Sequence, residues 1–150
     1  MQNLLKESIA IIIVSIMPIS ELRGSIPLGL QLGLNPIFVF LISIIFNSLV
    51  FFPIYFGLEL FYHRLFYRFK IVNKCLERIS KHKDKIDKYG FFGLVVIVAI
   101  PLPFTGAWTG SGLSWLLRLD WKKSFIAIFF GVVLAGFIVL LISLSIFKIF

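Results

Sequence analysis

Two long stretches without a single charged residue constrain this chain more than any other feature. Pro36–Gly57 has 22 residues and Ser124–Phe147 has 24, and about 20 apolar residues in a helix cross the hydrocarbon core of a membrane. Lipid offers no partner for backbone N–H and C=O groups, so such stretches must form helices. Because 59% of all residues are hydrophobic and 15% are charged, we expect an all-α integral membrane protein.

Two further apolar segments are too short to cross a membrane comfortably. Ile9–Ile19 has 11 residues and Phe91–Ile100 has 10, which as helices reach about half of the hydrocarbon core. A proline interrupts or follows each segment, at Pro18 and at Pro101. We interpret both segments as re-entrant hairpins that enter the membrane and return on the same side. The alternative is that each is part of a kinked helix that spans the membrane.

The distribution of basic residues predicts the orientation of these segments. Nine of the fifteen Lys and Arg residues lie between Arg64 and Lys88, and Arg118, Lys122 and Lys123 form a second group. The positive-inside rule places both groups in the cytoplasm and both chain termini outside. The segment between the two groups then enters and leaves on the cytoplasmic side. We therefore predict one membrane domain over 1–150, made of two inverted repeats, 1–58 and 90–150.

The connector between the predicted repeats, residues 59–89, is predicted to be a cytoplasmic amphipathic helix. Apolar residues recur in it at steps of three and four, and Lys or Arg occupies much of the rest. It either lies on anionic lipid or is a solvated linker that fixes the orientation. Membrane orientation accounts for the net charge of +8, so no nucleic-acid partner is expected. His63 and His82 lack neighbours at ligand spacing, so no metal or other cofactor is expected.

The two hairpins contain polar residues at positions where lipid makes them costly, which indicates a functional site. Glu21 and Arg23 are the only charged residues between Glu7 and Glu59. Burial favours the neutral form of a carboxyl group, so Glu21 can exchange a proton unless a cation holds its charge. Arg23 has the planar guanidinium that suits phosphate or carboxylate. Alternatively, the two form a structural ion pair.

The second hairpin is uncharged but offers donors for a bound ligand. Its side chains include Thr105, Thr109 and Ser111, and its glycines Gly106 and Gly110 leave backbone N–H groups accessible to an anion. Trp108 is either an aromatic surface for a cationic compound or an anchor in the membrane interface. The complete set of candidate site residues is Glu21, Arg23, Gly24, Pro27, Pro101, Pro103, Thr105, Gly106, Trp108, Thr109, Gly110 and Ser111.

The same two segments carry a resemblance to a known family. Glu-Leu-Arg-Gly-Ser-Ile-Pro-Leu-Gly (Glu21–Gly29) and Pro-Leu-Pro-Phe-Thr-Gly-Ala-Trp-Thr-Gly-Ser (Pro101–Ser111) resemble the putative small multidrug export protein family. That family is distantly similar to the DedA superfamily, whose members have facing re-entrant loops and are associated with proton-dependent transport or with moving lipids between leaflets. The resemblance implies that Glu21 and Arg23 are the charged transport residues of the first loop.

Three functions are consistent with these features. The first is a proton-coupled exporter of small amphipathic or cationic compounds in the plasma membrane, with Glu21 as the exchanging carboxylate. The second is a flippase or scramblase that binds lipid phosphate through Arg23 and the hydroxyls of the second hairpin. The third is a membrane scaffold that transports nothing. An enzyme is not expected, since no nucleophile and base are paired at membrane depth.

The partners expected for the chain are membrane lipids and a small-molecule or lipid substrate, and a second copy of the chain is a further candidate. Two spans and two hairpins make a thin wall around a polar cavity, which favours a homodimer. Small residues on the second span, Gly131, Ala135 and Gly136, allow close helix packing. They can equally pack against the hairpins of the same chain.

Overall fold

The computed structural model of the chain describes residues 2–64, 77, 83–102 and 105–149, and all regular structure within these residues is α-helical. The all-α prediction is therefore confirmed for the described part of the chain. In chain order the helices are α1 (Gln2–Ile16), α2 (Glu21–Gln31), α3 (Pro36–Leu49), α4 (Phe51–Arg64), α5 (Lys83–Ala99), α6 (Ala107–Leu116) and α7 (Trp121–Ile149).

Two of the helical segments are long and apolar enough to cross a membrane, as the sequence predicts. They are Pro36–Tyr62, with 27 residues, and Trp121–Ile146, with 26. The first comprises α3 and most of α4, with a turn at Val50 between them. Pro53 explains this turn, because proline has no N–H to donate to the carbonyl of Leu49. At the turn itself, the Val50 N–H donates to the Asn47 carbonyl, three residues earlier, at 3.3 Å.

Both long segments begin at a side-chain cap. The Ile37 N–H donates to Asn35 Oδ1 at 2.9 Å, and Pro36 occupies the first helical position, where its missing N–H costs nothing. The Lys122 N–H donates to Asp120 Oδ1 at 2.8 Å. Each cap satisfies an N–H group that the helix itself cannot.

Helices α1 and α2 form an antiparallel hairpin. A Cβ atom on Gly24 would lie 2.9 Å from Val14, and one on Gly29 would lie 3.0 Å from Ile11. The later residue of α2 thus contacts the earlier residue of α1, as expected for antiparallel helices. The chain reverses through residues 17–20, where Pro18 follows the end of α1. Because Gly24 and Gly29 have no side chain, the two helices can approach closely.

Helices α5 and α6 form a second hairpin. Gly110 of α6 lies against Val98 of α5, and residues 100–102, 105 and 106 between the helices are not helical. The end of α5 at Ala99 fits Pro101, which disfavours helical backbone in the residue before it. A single kinked helix from Phe91 to Leu113 is therefore wrong. Pro103 lies outside the described residues.

The helix starts differ from those that the apolar segments predict. Helix α1 begins at Gln2 instead of Ile9, and α5 begins at Lys83 instead of Phe91, because charged residues at a helix end continue it into water without penalty. The predicted connector helix covers residues 59–89. Its first residues belong to α4 and its last residues belong to α5. Residues 65–76 and 78–82, including His82, and the side chain of His63 lie outside the described part.

Each hairpin packs on a long helix of its own half and on one of the other half. Helices α1 and α2 both contact α3, and α5 and α6 both contact α7; across the halves, α2 contacts α7 and α6 contacts α4. The core between them contains Ile26, Val39, Val98, Ile128 and Val132. Large apolar side chains remain exposed on the outer faces, as lipid contact requires; they include Ile9, Ile13, Ile37, Leu41, Ile45, Phe130, Leu134, Phe137 and Leu141.

The small residues of α7 are used inside the chain. Gly131 lies against Val98 of α5, and Gly136 lies against Phe40 and Ile44 of α3. Ala135 is also buried, at 7% exposure. These three residues therefore pack within the chain, Gly131 on a hairpin and Gly136 on α3, and do not provide a face for a second copy. A homodimer stays a prediction, and the small residues of α7 do not support it.

Candidate functional site

The turns of the two hairpins touch each other near the middle of the molecule. Glu21 is the first residue of α2, and Gly106 immediately precedes α6. A Cβ atom at Gly106 would overlap the Glu21 carboxylate, so only a glycine leaves room for that group. The backbone N–H of Trp108 donates to Glu21 Oε1 at 3.4 Å, which joins residues 87 positions apart in the chain.

The Glu21 carboxylate acts as the cap that α6 lacks. The N-cap residue of α6 is Gly106, which has no side chain and an extended backbone. The first N–H groups of a helix have no partner within the helix, and its N-terminus favours a negative charge. Glu21 supplies an acceptor at this end and, when ionised, also a charge. An acidic residue of the first hairpin therefore completes a helix of the second.

Glu21 reaches this position through an uncommon backbone conformation. Its φ is +42°, in the left-handed region that L side chains rarely adopt. Such a conformation costs about 1–3 kcal/mol and persists only where the surroundings enforce it. The side chain is 8% exposed. The strain lies at the residue whose carboxylate crosses between the hairpins, which marks Glu21 as a positioned group.

Trp108 holds the hairpins together through its side chain as well. Its indole Nε1–H donates to the carbonyl oxygen of Ile16 at 2.9 Å. Ile16 is the last residue of α1, where carbonyl groups have no partner within the helix. The polar atom of Trp108 is therefore used inside the protein and not at a lipid headgroup. Its role as an aromatic surface for a cation stays a prediction.

Arg23 is half-buried and lies beside the same contact, but it does not form the predicted ion pair. Among the residues that the structure describes, no carboxylate approaches the Arg23 guanidinium within 4.0 Å. Glu21 is directed at α6 instead. Glu21 and Arg23 therefore interact through their charges but make no direct ion pair. What remains is a guanidinium without a direct acidic partner in the described part of the chain.

A small cavity connects these groups. Its polar lining comes from Glu21, Arg23, Asn47 and Thr105, and its apolar lining includes Val98 and Val132. The volume that the centre of a water molecule can reach inside it is about 10 Å³. This is roughly the volume that one bound water needs. An organic substrate does not fit. The hairpins are therefore closed over the polar groups in this conformation.

The chain matches one family model over residues 21–138, which is described as putative small multi-drug export protein. The chain belongs to this family. No curated protein and no solved structure matches it. The description of the family is one of export proteins, in keeping with the two apolar segments. A relation to the DedA superfamily stays a prediction.

The matched region of this family member begins at Glu21 and contains all of the candidate site residues. Of these, the structure brings Glu21, Arg23, Pro101, Thr105 and Gly106 to the cavity, with Trp108 bonded to Glu21. The Thr105 hydroxyl already bonds within its own loop, since its oxygen lies 2.7 Å from the carbonyl oxygen of Ile100. Its prediction as a donor to substrate requires that this loop opens.

The other candidates in the described part do not line the cavity. Gly24 and Gly110 bring the helices of each hairpin together. Pro27 lies inside α2, and the Ser111 hydroxyl donates to the Ala107 carbonyl within α6. Thr109 is exposed. These residues shape the hairpins instead of contacting the polar groups at their junction.

Asn47 of α3 is a site residue that the sequence analysis missed. It is 1% exposed, it lines the cavity, and within the described residues neither atom of its amide has a hydrogen-bond partner. Buried polar atoms are nearly always paired. Ser43, one turn earlier on the same face, is likewise buried and unpaired within these residues. An asparagine in an uncharged span is the signal that indicates such a site.

Proposed function

We propose that the chain is a proton-coupled exporter of small amphipathic or cationic compounds, with Glu21 as the carboxylate that binds proton and substrate in turn. The observation that carries the proposal is the position of this carboxylate. It is buried at the junction of two hairpins and it caps a helix of the opposite half. A change in its charge therefore acts directly on the contact that closes the cavity.

The proposed arrangement in the membrane is an inverted repeat of re-entrant hairpin and spanning helix. Two features support it. The apolar part of α5, Tyr89–Ala99, is about 16 Å long as a helix, while the hydrocarbon core is about 30 Å thick. Both hairpins also make the same contacts, since each packs on the long helix that follows it. The junction at Glu21 then lies at mid-membrane, where transporters bind their substrates.

The mechanism follows from what the charged and neutral forms of Glu21 can do. Ionised Glu21 accepts the Trp108 N–H and is attracted to the N-terminus of α6, which keeps the hairpins closed. Protonation removes the charge and weakens this attraction, so the hairpins can separate. A cationic substrate then competes with the proton for one carboxylate. This competition is the minimum requirement for exchanging a proton against a cation.

The direct test is a substrate screen with the protein reconstituted in vesicles, with and without a pH gradient. We expect at least one cationic or amphipathic dye to move faster than in protein-free vesicles, and only while the gradient is present. Adding a protonophore should then stop the movement. If no compound of this class moves faster than in the protein-free control, proton-coupled export is wrong.

The topology is tested by labelling single cysteines in a chain that carries Cys75→Ser. With re-entry, α1 and α2 begin and end on the outer side, so Lys6→Cys and Gln31→Cys, at two exposed positions, should both react with an impermeant reagent added outside. Lys122→Cys is the control and should react only from the inside. Reaction of Lys6→Cys only from the inside would make α1 a span.

The second candidate function is transport of lipid phosphate, and one observation favours it. Arg23 lies at the cavity, and among the described residues no carboxylate oxygen lies within 4.0 Å of its guanidinium, so the guanidinium can receive a phosphate. Arg23→Lys distinguishes the two functions, because an ammonium group cannot form the paired hydrogen bonds of a guanidinium. For a lipid transporter we expect this variant to lose most of the movement of a fluorescent phospholipid between leaflets.

For the proposed exporter, Arg23→Lys should instead keep most of the gradient-driven flux of dye, since the positive charge near Glu21 is retained. Both fluxes are measured on the same vesicle preparation. The scaffold hypothesis predicts that neither wild type nor variant moves dye or lipid.

A further inference from the structure

A second cavity lies at the other end of α6, away from the junction of the hairpins. It has a volume of about 350 Å³, which is within the range of small-molecule sites. Its lining comes from α5, from the connection between α6 and α7, and from the first turn of α7, and consists of Phe91, Leu94, Arg118, Leu119, Asp120, Lys123 and Ser124.

The charged groups of this cavity favour an anion. Arg118 and Lys123 are both exposed at its rim. Among the residues that the structure describes, the only acid in its lining is Asp120, whose Oδ1 already accepts the N–H groups of Lys122 at 2.8 Å and Lys123 at 3.4 Å. The carboxylate is therefore engaged in capping α7, and the cations outnumber it.

Ser124 provides an independent indication of a ligand. The residue is 1% exposed and lines the cavity, and its hydroxyl has no hydrogen-bond partner within the described residues. Its backbone N–H is used, since it donates to the Asp120 carbonyl at 2.9 Å. Because buried hydroxyls are normally paired, an oxygen of a bound ligand is the natural partner for this one.

The backbone at Arg118 keeps its guanidinium at the rim. Arg118 has a φ of +52°, and its N–H and that of Leu119 donate to carbonyls of the last turn of α6. Glycine is the usual residue at such a helix end, because it adopts positive φ without strain. Here an arginine occupies it, and this arginine lines the same cavity as Lys123 and Ser124.

We propose that this cavity binds a phosphate group, carried either by the headgroup of an anionic phospholipid or by phosphate from solution. The cavity lies at the start of the apolar segment Trp121–Ile146, where headgroups are found, and Phe91, Leu94 and Leu119 provide an apolar wall for the glycerol and the first part of an acyl chain. Basic pockets between membrane helices on the cytoplasmic side suit such headgroups. The site is separate from Glu21 and does not depend on proton-coupled export.

The test is native mass spectrometry of the full chain released from nanodiscs that contain phosphatidylglycerol in phosphatidylcholine. Wild type should retain phosphatidylglycerol. Lys123→Gln and Arg118→Gln should each lower the retained fraction about five-fold, the effect of removing one cation at the membrane surface. Ser124→Ala, which removes one oxygen atom and little volume, should lower it in a folded protein with an unchanged melting temperature.

The matched control is Lys122→Gln. Lys122 neighbours Lys123, but its ammonium lies over the Trp121 ring, 5.5 Å from the centroid, and it does not line the cavity. This variant should retain as much lipid as wild type. Equal losses with Lys122→Gln and Lys123→Gln would overturn the proposal, because the effect would then be general surface charge.

The source of the phosphate is separated by adding inorganic phosphate to the lipid-bound protein in detergent. Displacement of phosphatidylglycerol by phosphate, lost in Lys123→Gln, would show that the phosphate group alone is recognised. Retention against phosphate, together with loss in the Arg118 and Lys123 variants, would assign the site to the lipid. Retention of phosphatidylglycerol that is unchanged in both variants would contradict a site in this cavity.

Discussion

Glu21→Gln is expected to reduce gradient-driven export to the level of protein-free vesicles. The amide oxygen of glutamine can still accept the Trp108 N–H, so the hairpins remain in contact. The amide cannot take up and release a proton, and it carries no charge for a cationic substrate. The loss in stability should be small, about 0.3–1 kcal/mol, because only the attraction between the charge and the α6 N-terminus disappears. Flux and thermal unfolding are measured on the same preparation.

Glu59→Gln is the matched control for this variant. Glu59 also accepts a hydrogen bond from a tryptophan, the Trp115 Nε1–H at 2.7 Å, but it is exposed and does not line the cavity at the hairpin junction. We expect this variant to export at the wild-type rate. Retention of gradient-driven flux by folded Glu21→Gln would exclude Glu21 as the coupling group.

Gly106→Ala is expected to impair export about as strongly, through a different cause. The extended backbone at Gly106 (φ −144°, ψ −155°) is available to alanine, so the substitution introduces no backbone strain. Its Cβ atom would overlap the Glu21 carboxylate, which must move away from the α6 N-terminus. We expect a loss in stability of about 1–3 kcal/mol, typical of inserting a methyl group into a packed contact, and loss of gradient-driven flux.

Two further variants identify the cause. Gly112→Ala lies in the same helix, and a Cβ atom there would meet nothing within 4 Å, so this variant should be as stable and as active as wild type. Adding Glu21→Ala to Gly106→Ala removes the overlapping carboxylate. If the overlap is the cause, the two changes will be less destabilising together than the sum of their separate effects. Simple additivity would contradict the contact.

The parts of the fold that the sequence predicts are those that depend on local chemistry. The two long helices follow from the absence of charge, and the chain reversals follow from Pro18 and Pro101. The starts of α1 and α5 do not follow, because charged residues at a helix end resemble those of a loop. The absence of charge can be read from each segment alone. The start of a helix depends on how far the helix extends beyond its apolar part.

The candidate site likewise has parts that the sequence predicts and parts that it does not. The polar motifs single out Glu21, Gly106 and Trp108, since polar groups are costly in apolar surroundings. Their contact cannot be predicted, because it joins residues 87 positions apart and depends on how two hairpins dock. The expected Glu21–Arg23 pair rested on their closeness in sequence, whereas the helix end of α6 provides Glu21 with a better partner. Asn47 does not stand out in the sequence, because it carries no charge and its burial at the cavity depends on how the helices pack.

The capping of α6 by Glu21 has a consequence for how the protein is made. The first hairpin leaves the ribosome long before Trp108, so during synthesis its carboxylate has no backbone amide to bind. Entering lipid alone at that stage would expose an unpartnered carboxyl group, which is costly. We expect the first hairpin to wait at the membrane surface until the second emerges, and the two to insert as one unit. A fragment that ends before α3 should then be extractable from membranes by alkali, and co-expression with the remainder of the chain should restore its insertion.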